Sequence, residues 1–342
     1  MSESGHIEGS RSEAPSHHAP DGTFRNPWGL PESRFAGLLK WRWNRFRHPL
    51  PRDDGARSLH SVASSVRRPR ADATEIAVTW VGHSTLLVQL GSLNVLTDPV
   101  WSERASPWRA IGPRRLVPAA LPIEALPPID IVLQSHNHYD HLDAWTVRAL
   151  TAAHPRAQWI VPLRLGTFVR SLGVRDVSEL DWWADVRLGS ATVACTPARH
   201  FSARTPLDRN RTLWCGFAVA GPTGRFFYAG DTGFHPEFER IGERFGPFAV
   251  SAMPIGAYEP RWFMQSVHVN PDDAVTGFRA LHAHHGLSAH ARMVGVHWGT
   301  FRLTDEPILD PPRRTREAWT RATLPEDNLW ILAHGETRVM RI

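Results

Sequence analysis

The chain of 342 residues predicts an α/β fold on three observations. Short apolar runs of strand length alternate with helical patterns from about residue 76 onward. Histidines and aspartates recur just past the ends of those runs, where α/β proteins commonly build their sites. With 42% hydrophobic residues the chain can bury a substantial core, yet no apolar run approaches the roughly eighteen residues of a membrane span.

Taken in order, residues 1–22 are rich in Ser, Gly, Pro, His and charge, and are expected to form a disordered tail. Residues 23–75 form a basic aromatic arm and connector. Within it 34–47 predicts a helix on which Phe35, Leu39, Trp43 and Phe46 share one stripe, with Lys40 and Arg47 opposite and Arg42 intruding. From Arg25 to Arg52 seven basic residues stand against Glu32 alone, a net +6. Two readings stay open: peripheral membrane contact of residues 25–52 with anionic headgroups, or an arm packed through its aromatics on the body or on another subunit. The body, 76–342, opens with strands at Ile76–Val81, Thr85–Leu90, Leu93–Thr97 and Ile129–Leu133. A helix at Ala144–His154, a strand at Trp159–Val161 and a helix at Thr167–Leu172 follow. Strands are next expected at Ala191–Pro197, Arg225–Gly230 and Arg292–Val296. Helices are expected at Glu237–Phe245 and at Pro271–His282, the second with proline near its first turn.

The most informative segment is His136-Asn137-His138-Tyr139-Asp140-His141, directly after the strand ending at Leu133. Imidazole nitrogens and carboxylate oxygens are what Zn2+ takes when a catalytic position must stay open. Four such groups in six residues cannot all bind one tetrahedral ion and leave room for water, so the economical reading is two metals. Other strand exits offer His200, Asp231 and His297. His136, His138 and His200 are assigned to one metal, Asp140, His141 and His297 to the other, and Asp231, whose two oxygens can bridge, to both.

This set resembles the metallo-β-lactamase superfamily of hydrolases. Longer stretches are similar to one branch, the N-acyl-phosphatidylethanolamine-hydrolysing phospholipases D and their bacterial relatives. They include Val81-Gly82-His83-Ser84-Thr85, Leu96-Thr97-Asp98-Pro99, Glu179-Leu180-Asp181-Trp182-Trp183, Arg244 through Phe248, Pro254 through Met264, and His297 through Phe301. The resemblance covers about residues 76–342; before that only Phe24-Arg25-Asn26-Pro27-Trp28 looks similar. It implies an αββα sandwich, two mixed sheets face to face with helices outside. It also implies a phospholipase D-type reaction in which a metal-bridging hydroxide attacks phosphorus, releasing N-acylethanolamine and phosphatidate. His268 falls where a substrate-contacting histidine is expected, and is the candidate to protonate the leaving alkoxide or hold the phosphate. Tyr139 falls at a position that touches the N-acyl substrate. Asp98 and His83 either orient metal ligands through hydrogen bonds or are ordinary turn residues. His334 shares the family look without a role.

The cofactors expected are two Zn2+, and the same ligands would serve other divalent transition metals. The pI near 9.9 invites a nucleic-acid reading, but Lys40 is the single lysine, the net charge is only +5, and arginine equally suits a bidentate grip on lipid phosphate. Charge alone does not choose between lipid phosphate and nucleic acid, and nucleic acid is not the partner expected. Cys195 and Cys215 lie in or beside predicted strands and read as reduced core residues of a cytoplasmic protein, at most peripheral at the inner membrane surface. Residues 1–5 show no basic-then-apolar leader. The alternatives are a lactonase or another phosphodiesterase or nuclease acting on a soluble substrate, and, from a different class, a non-catalytic membrane-associated protein with a structural metal.

Overall fold

The computed structural model describes residues 15–29, 34–50 and 53–342, with side chains in the first helix from Ala36 onward. That helix, α1 (Arg34–Arg47), precedes β1 (Glu75–Gly82), β2 (Thr85–Leu90) and β3 (Leu93–Thr97). After a long connection come β4 (Ile131–Leu133), α2 (Ala144–Ala153), β5 (Gln158–Pro162), α3 (Gly166–Ser171) and β6 (Val177–Leu180). The second half runs β7 (Asp185–Leu188), β8 (Ala191–Thr196), β9 (Gly216–Ala220), β10 (Arg225–Tyr228), α4 (Glu237–Phe245) and β11 (Val250–Pro254). It continues with α5 (Arg261–Met264), α6 (Pro271–Leu281), β12 (Arg292–Val296), α7 (Asp310–Arg321) and β13 (Leu329–Trp330), and β14 (Thr337–Arg341) returns to the first half.

Among the described residues these strands form two seven-stranded mixed sheets, ordered β14-β1-β2-β3-β4-β5-β6 and β13-β12-β11-β10-β9-β8-β7. Each sheet has three antiparallel pairings on one side and three parallel pairings on the other. The two halves thus share one pairing scheme, a repeat with no visible trace in the sequence. Central strands are covered on both faces, which is why they read as unbroken apolar runs. In β2, Leu86, Val88 and Leu90 enter the core between the sheets, while Leu87 joins Val132, Val147, Leu150 and Trp159 in a second core under the outer helices. No described helix is long and apolar enough to cross a membrane.

Two expectations change. Residues 15–22, expected in the tail, are docked: His17 is buried and, with His18, reaches Asp181. Composition cannot reveal such partners, because they lie more than 160 residues away in sequence. The rest of that tail, 1–14, lies outside the described residues, as does the Phe35 side chain. α1 does form, but it docks through Trp41, whose indole nitrogen donates to Asp305 at 2.7 Å and whose ring lies 5.6 Å from Phe263. The apolar stripe faces outward, leaving Leu39, Trp43 and Phe46 52%, 57% and 77% exposed.

Candidate metal centre

The strand ends deliver the ligand types as expected. His136, His138, Asp140 and His141 follow β4, His200 follows β8, Asp231 follows β10 and His297 follows β12. Gly230 sits at φ +61 where a Cβ would strike the Cys215 carbonyl and the Ser135 side chain, so only glycine lets the chain turn Asp231 inward. Two four-residue groups result. His136, His138, His200 and Asp231 form one, and His83, Asp140, His141 and His297 the other, the ligand atoms within each lying within 4.8 Å of one another. Asp231 joins them: its Oδ2 is 3.1 Å from the Nε2 atoms of His141 and His297, 3.8 Å from His200 and 3.9 Å from His136. His297 Nε2 also lies 3.4 Å, and His141 Nε2 3.5 Å, from Asp140 Oδ2.

Hydrogen bonds behind these groups aim them. Asp98 is fully buried and accepts from His141 Nδ1 at 2.6 Å, from the Ser135 amide at 2.6 Å, and from Ser135 Oγ, Gln134 Nε2 and the Tyr228 hydroxyl. Gln134 Nε2 also reaches the carbonyls of His136 and His141, tying both ends of the ligand loop together. Arg204 Nη1 donates to the carbonyls of Asn137 and Leu142, both at 2.8 Å. His200 Nδ1 faces the Val267 carbonyl at 2.9 Å. His83 Nε2 contacts Asp140 Oδ2 at 3.0 Å, and its own carbonyl accepts from the His297 amide at 3.1 Å. His83 and Asp98 both sit at positive φ, 54° and 30°, as turn residues do, and both contact candidate ligands. His297, at φ 63°, shares the strain, of order 1–3 kcal/mol per residue. Asp98→Asn should weaken metal binding about 10–100-fold, because the amide turns an acceptor into a donor facing three other donors. Chelator competition measures it, and unchanged affinity would refute an orienting role.

Electrostatics show what the centre is built to hold. Burial disfavours charge on every group, yet the Asp231 carboxyl lies well below its ordinary range because His141, His297 and His268 surround it. Asp140 is likewise held down, against its burial, by His141, His297 and His83. Conversely, His297 is raised to about 9, Asp231 and Asp140 outweighing its burial, and His141 is raised well above the usual value by Asp231, Asp140 and Asp98. His136 and His200 are pushed well down, by burial first, which favours the neutral imidazole that a cation would need. Among the described residues, Asp231 Oδ1 and the Nε2 atoms of His141 and His297 are buried without a hydrogen-bond partner. This nitrogen and oxygen donor set fits divalent transition cations, with protons on His141 and His297 standing in for positive charge in the metal-free protein. Metal must displace those protons. Affinity should therefore rise with pH towards about 9, and Zn2+ added to metal-free protein at pH 7 should release protons, as read by calorimetry in two buffers of different ionisation enthalpy.

His268 lies in the centre rather than on the surface. It is 7% exposed, its Nε2 is 4.0 Å from Asp231 Oδ2, and its ring is 5.1 Å from His200 and 5.3 Å from His297. Asn270 caps α6 reciprocally with Asp273, and Arg261 bonds both the His268 carbonyl and Asp273, which fixes the segment. Tyr139 is not brought among the ligands. Its ring lies under Arg204, 4.0 Å away, and its hydroxyl donates to the Arg204 carbonyl at 3.0 Å. His334 stacks on Trp80 and contacts Thr300, whose hydroxyl accepts from the His83 amide, so it braces the turn behind the centre. His282, just past the end of α6, is 3% exposed and packs on Phe278. Gln134, Arg204 and Tyr228 carry no signal in the sequence, having no motif spacing of their own.

A model described as the β-lactamase superfamily domain matches residues 93–298. The chain belongs to the β-lactamase superfamily. Within this superfamily its relatives include the N-acyl-phosphatidylethanolamine-hydrolyzing phospholipase D 1 of Caenorhabditis elegans, 43% identical over 70% of this chain and 68% of that protein. A mitochondrial protein of the same activity name from Saccharomyces cerevisiae is 34% identical over 75% of this chain and 54% of its own length. An uncharacterized Mycobacterium tuberculosis protein is 46% identical over 72% of this chain, and the match spans 64% of that relative. These place the chain in the phospholipase D branch of the superfamily. Among solved structures, a metallo hydrolase of Ignicoccus hospitalis superposes with TM-score 0.58 at 21% identity, over 79% of this chain and all of that one, and shares the sandwich fold.

Proposed function

We propose that this superfamily member is a binuclear metal-dependent phosphodiesterase of phospholipase D type, with N-acyl-phosphatidylethanolamine as substrate. The observation that carries the reading is the position of Asp231 Oδ2, within 4.0 Å of five imidazoles that include both ligand groups and His268. His136, His138, His200 and Asp231 would hold one cation, and Asp140, His141, His297 and Asp231 the other, with Zn2+ the ion proposed. When bound, such cations supply a water acidic near neutral pH and neutralise charge on a phosphoryl oxygen. Asp98, His83 and the Val267 carbonyl fix the imidazoles. His268 carries the proton for the departing alkoxide, at an edge of the centre left free by the seven ligands.

A lipid surface as the source of substrate is supported by where the exposed apolar side chains fall. Trp108, Ile111, Trp145, Leu207, Phe234 and Leu309 are exposed on segments that follow the strand ends bearing the ligand candidates or Asp98, and exposed Trp262 lies between β11 and His268; Leu287 and Ile342 lie on other segments. α1 packs beside Trp262 with Lys40 over that ring, and adds Leu39, Trp43 and Phe46 among Arg42, Arg45 and Arg47. Apolar tips set among cations suit an anionic bilayer surface. The deciding experiment measures N-acylethanolamine release from substrate-bearing vesicles by metal-loaded protein. Metal-dependent release supports the proposal; hydrolysis of lactones or soluble phosphodiesters with none from vesicles overturns it. Trp43→Ala/Phe46→Ala should weaken vesicle binding about tenfold or more in a sedimentation assay, since each ring removes roughly 1–2 kcal/mol of apolar burial. Undiminished binding would place the interface elsewhere.

A further inference from the structure

We propose that His17, His18 and Asp181 form an additional metal site, apart from the seven-ligand centre, for a divalent transition cation such as Zn2+. His17 Nε2 lies 2.6 Å from one oxygen of Asp181 and His18 Nε2 2.8 Å from the other, so two imidazoles and a carboxylate converge with all ligand atoms within 4.8 Å. Consecutive residues on an extended chain ordinarily point apart. Here a turn after Pro15 and the aromatic contacts hold both rings on one target: His17 stacks on Trp182 at 4.3 Å, and His18 meets the edge of Phe24 at 5.1 Å. Among the described residues Asp181 has no ion pair with arginine or lysine; its partners are these two imidazoles and the Trp182 amide. The His18 and Asp181 side chains are 29% and 26% exposed, which gives a cation an entry path and leaves room for water to complete its coordination.

The place of the site gives it a purpose. Segment 15–29 crosses the loops that leave the second sheet: the Phe24 amide donates to the Asn210 carbonyl at 2.8 Å, and Asn26 Nδ2 to the carbonyl of His200 at 2.6 Å. Trp28 stacks on Trp182 and on His235, and Arg199 Nη2 reaches the Trp28 and Gly29 carbonyls. A cation at His17, His18 and Asp181 staples the start of this strap to the end of β6, and so braces His200, a candidate ligand of the main centre.

The test counts metal on the full chain. Protein stripped with chelator, reloaded with Zn2+ and passed through a desalting column should hold about one ion more per chain than its His17→Gln/His18→Gln variant, by plasma mass spectrometry. Asp231→Asn, which alters only the main centre, should retain that extra ion, so the result stands whether or not the hydrolase reading does. Equal counts in the native chain and the double variant overturn the site. Should the double variant fail to fold, Co2+ titration of Asp231→Asn against Asp231→Asn/Asp181→Asn decides, with identical spectra and stoichiometry as the overturning result.

Discussion

Asp231→Asn is expected to lower N-acylethanolamine release by about 10^3-fold or more, the loss that several kcal/mol of transition-state stabilisation implies. The change is nearly isosteric, so the argument is electrostatic. Asp231 Oδ2 is the point on which His136, His141, His200, His268 and His297 converge, and its charge does most to raise His141 and His297. An amide supplies one neutral oxygen and turns two hydrogens towards imidazoles that must accept cations. Metal content should fall along with turnover, and the proton release on Zn2+ addition should shrink, because imidazoles without the neighbouring carboxylate no longer hold their protons so firmly. Native metal content and near-native turnover in this variant would remove Asp231 from the bridging position and with it the binuclear reading.

Most of the centre is legible in the sequence because its parts are local. Four ligand types in six residues after an apolar run need no tertiary knowledge, and His200, Asp231 and His297 each follow a strand that its own composition announces. Arg292–Val296 and Glu237–Phe245 match their predicted bounds for the same reason: an unbroken apolar run in one, a helical stripe in the other. β7 and β9 are not legible in this way. The first alternates half-exposed and exposed positions in only four residues, and the second starts inside the apolar stretch Leu213-Trp214-Cys215-Gly216-Phe217, so its start is not marked by a change from polar to apolar residues. What stays hidden depends on contacts across the chain. Gln134 binds three groups from a position that looks like any polar strand end, and Arg204 closes over the ligand loop from a segment that composition marks as an ordinary loop. The docking of residues 15–29 is hidden for the same reason, since a Ser-, Pro- and His-rich tail differs from a strap only in having Asp181, Trp182 and His200 within reach.

His268→Ala is expected to cost about 10^2–10^4 in kcat while leaving metal content unchanged, the range typical of a lost general acid. His268 is outside the seven-ligand set, so its removal need not release a cation, yet its Nε2 comes within 4.0 Å of the shared Asp231 oxygen. A histidine there can reach a leaving oxygen at the edge of the centre, and Arg261 and the α6 cap hold its backbone in place. The identity of the leaving group separates proton donation from mere positioning. An alkoxide such as that of N-acylethanolamine departs poorly without a proton, whereas a nitrophenoxide departs unaided. If His268 is the donor, the variant should lose the full factor on the alkyl ester and about tenfold or less on a nitrophenyl phosphodiester. Equal losses on both substrates would show that His268 holds the phosphate. A rise in KM with kcat unchanged would confine it to binding the lipid, and the proton would then have to come from another group in the cleft.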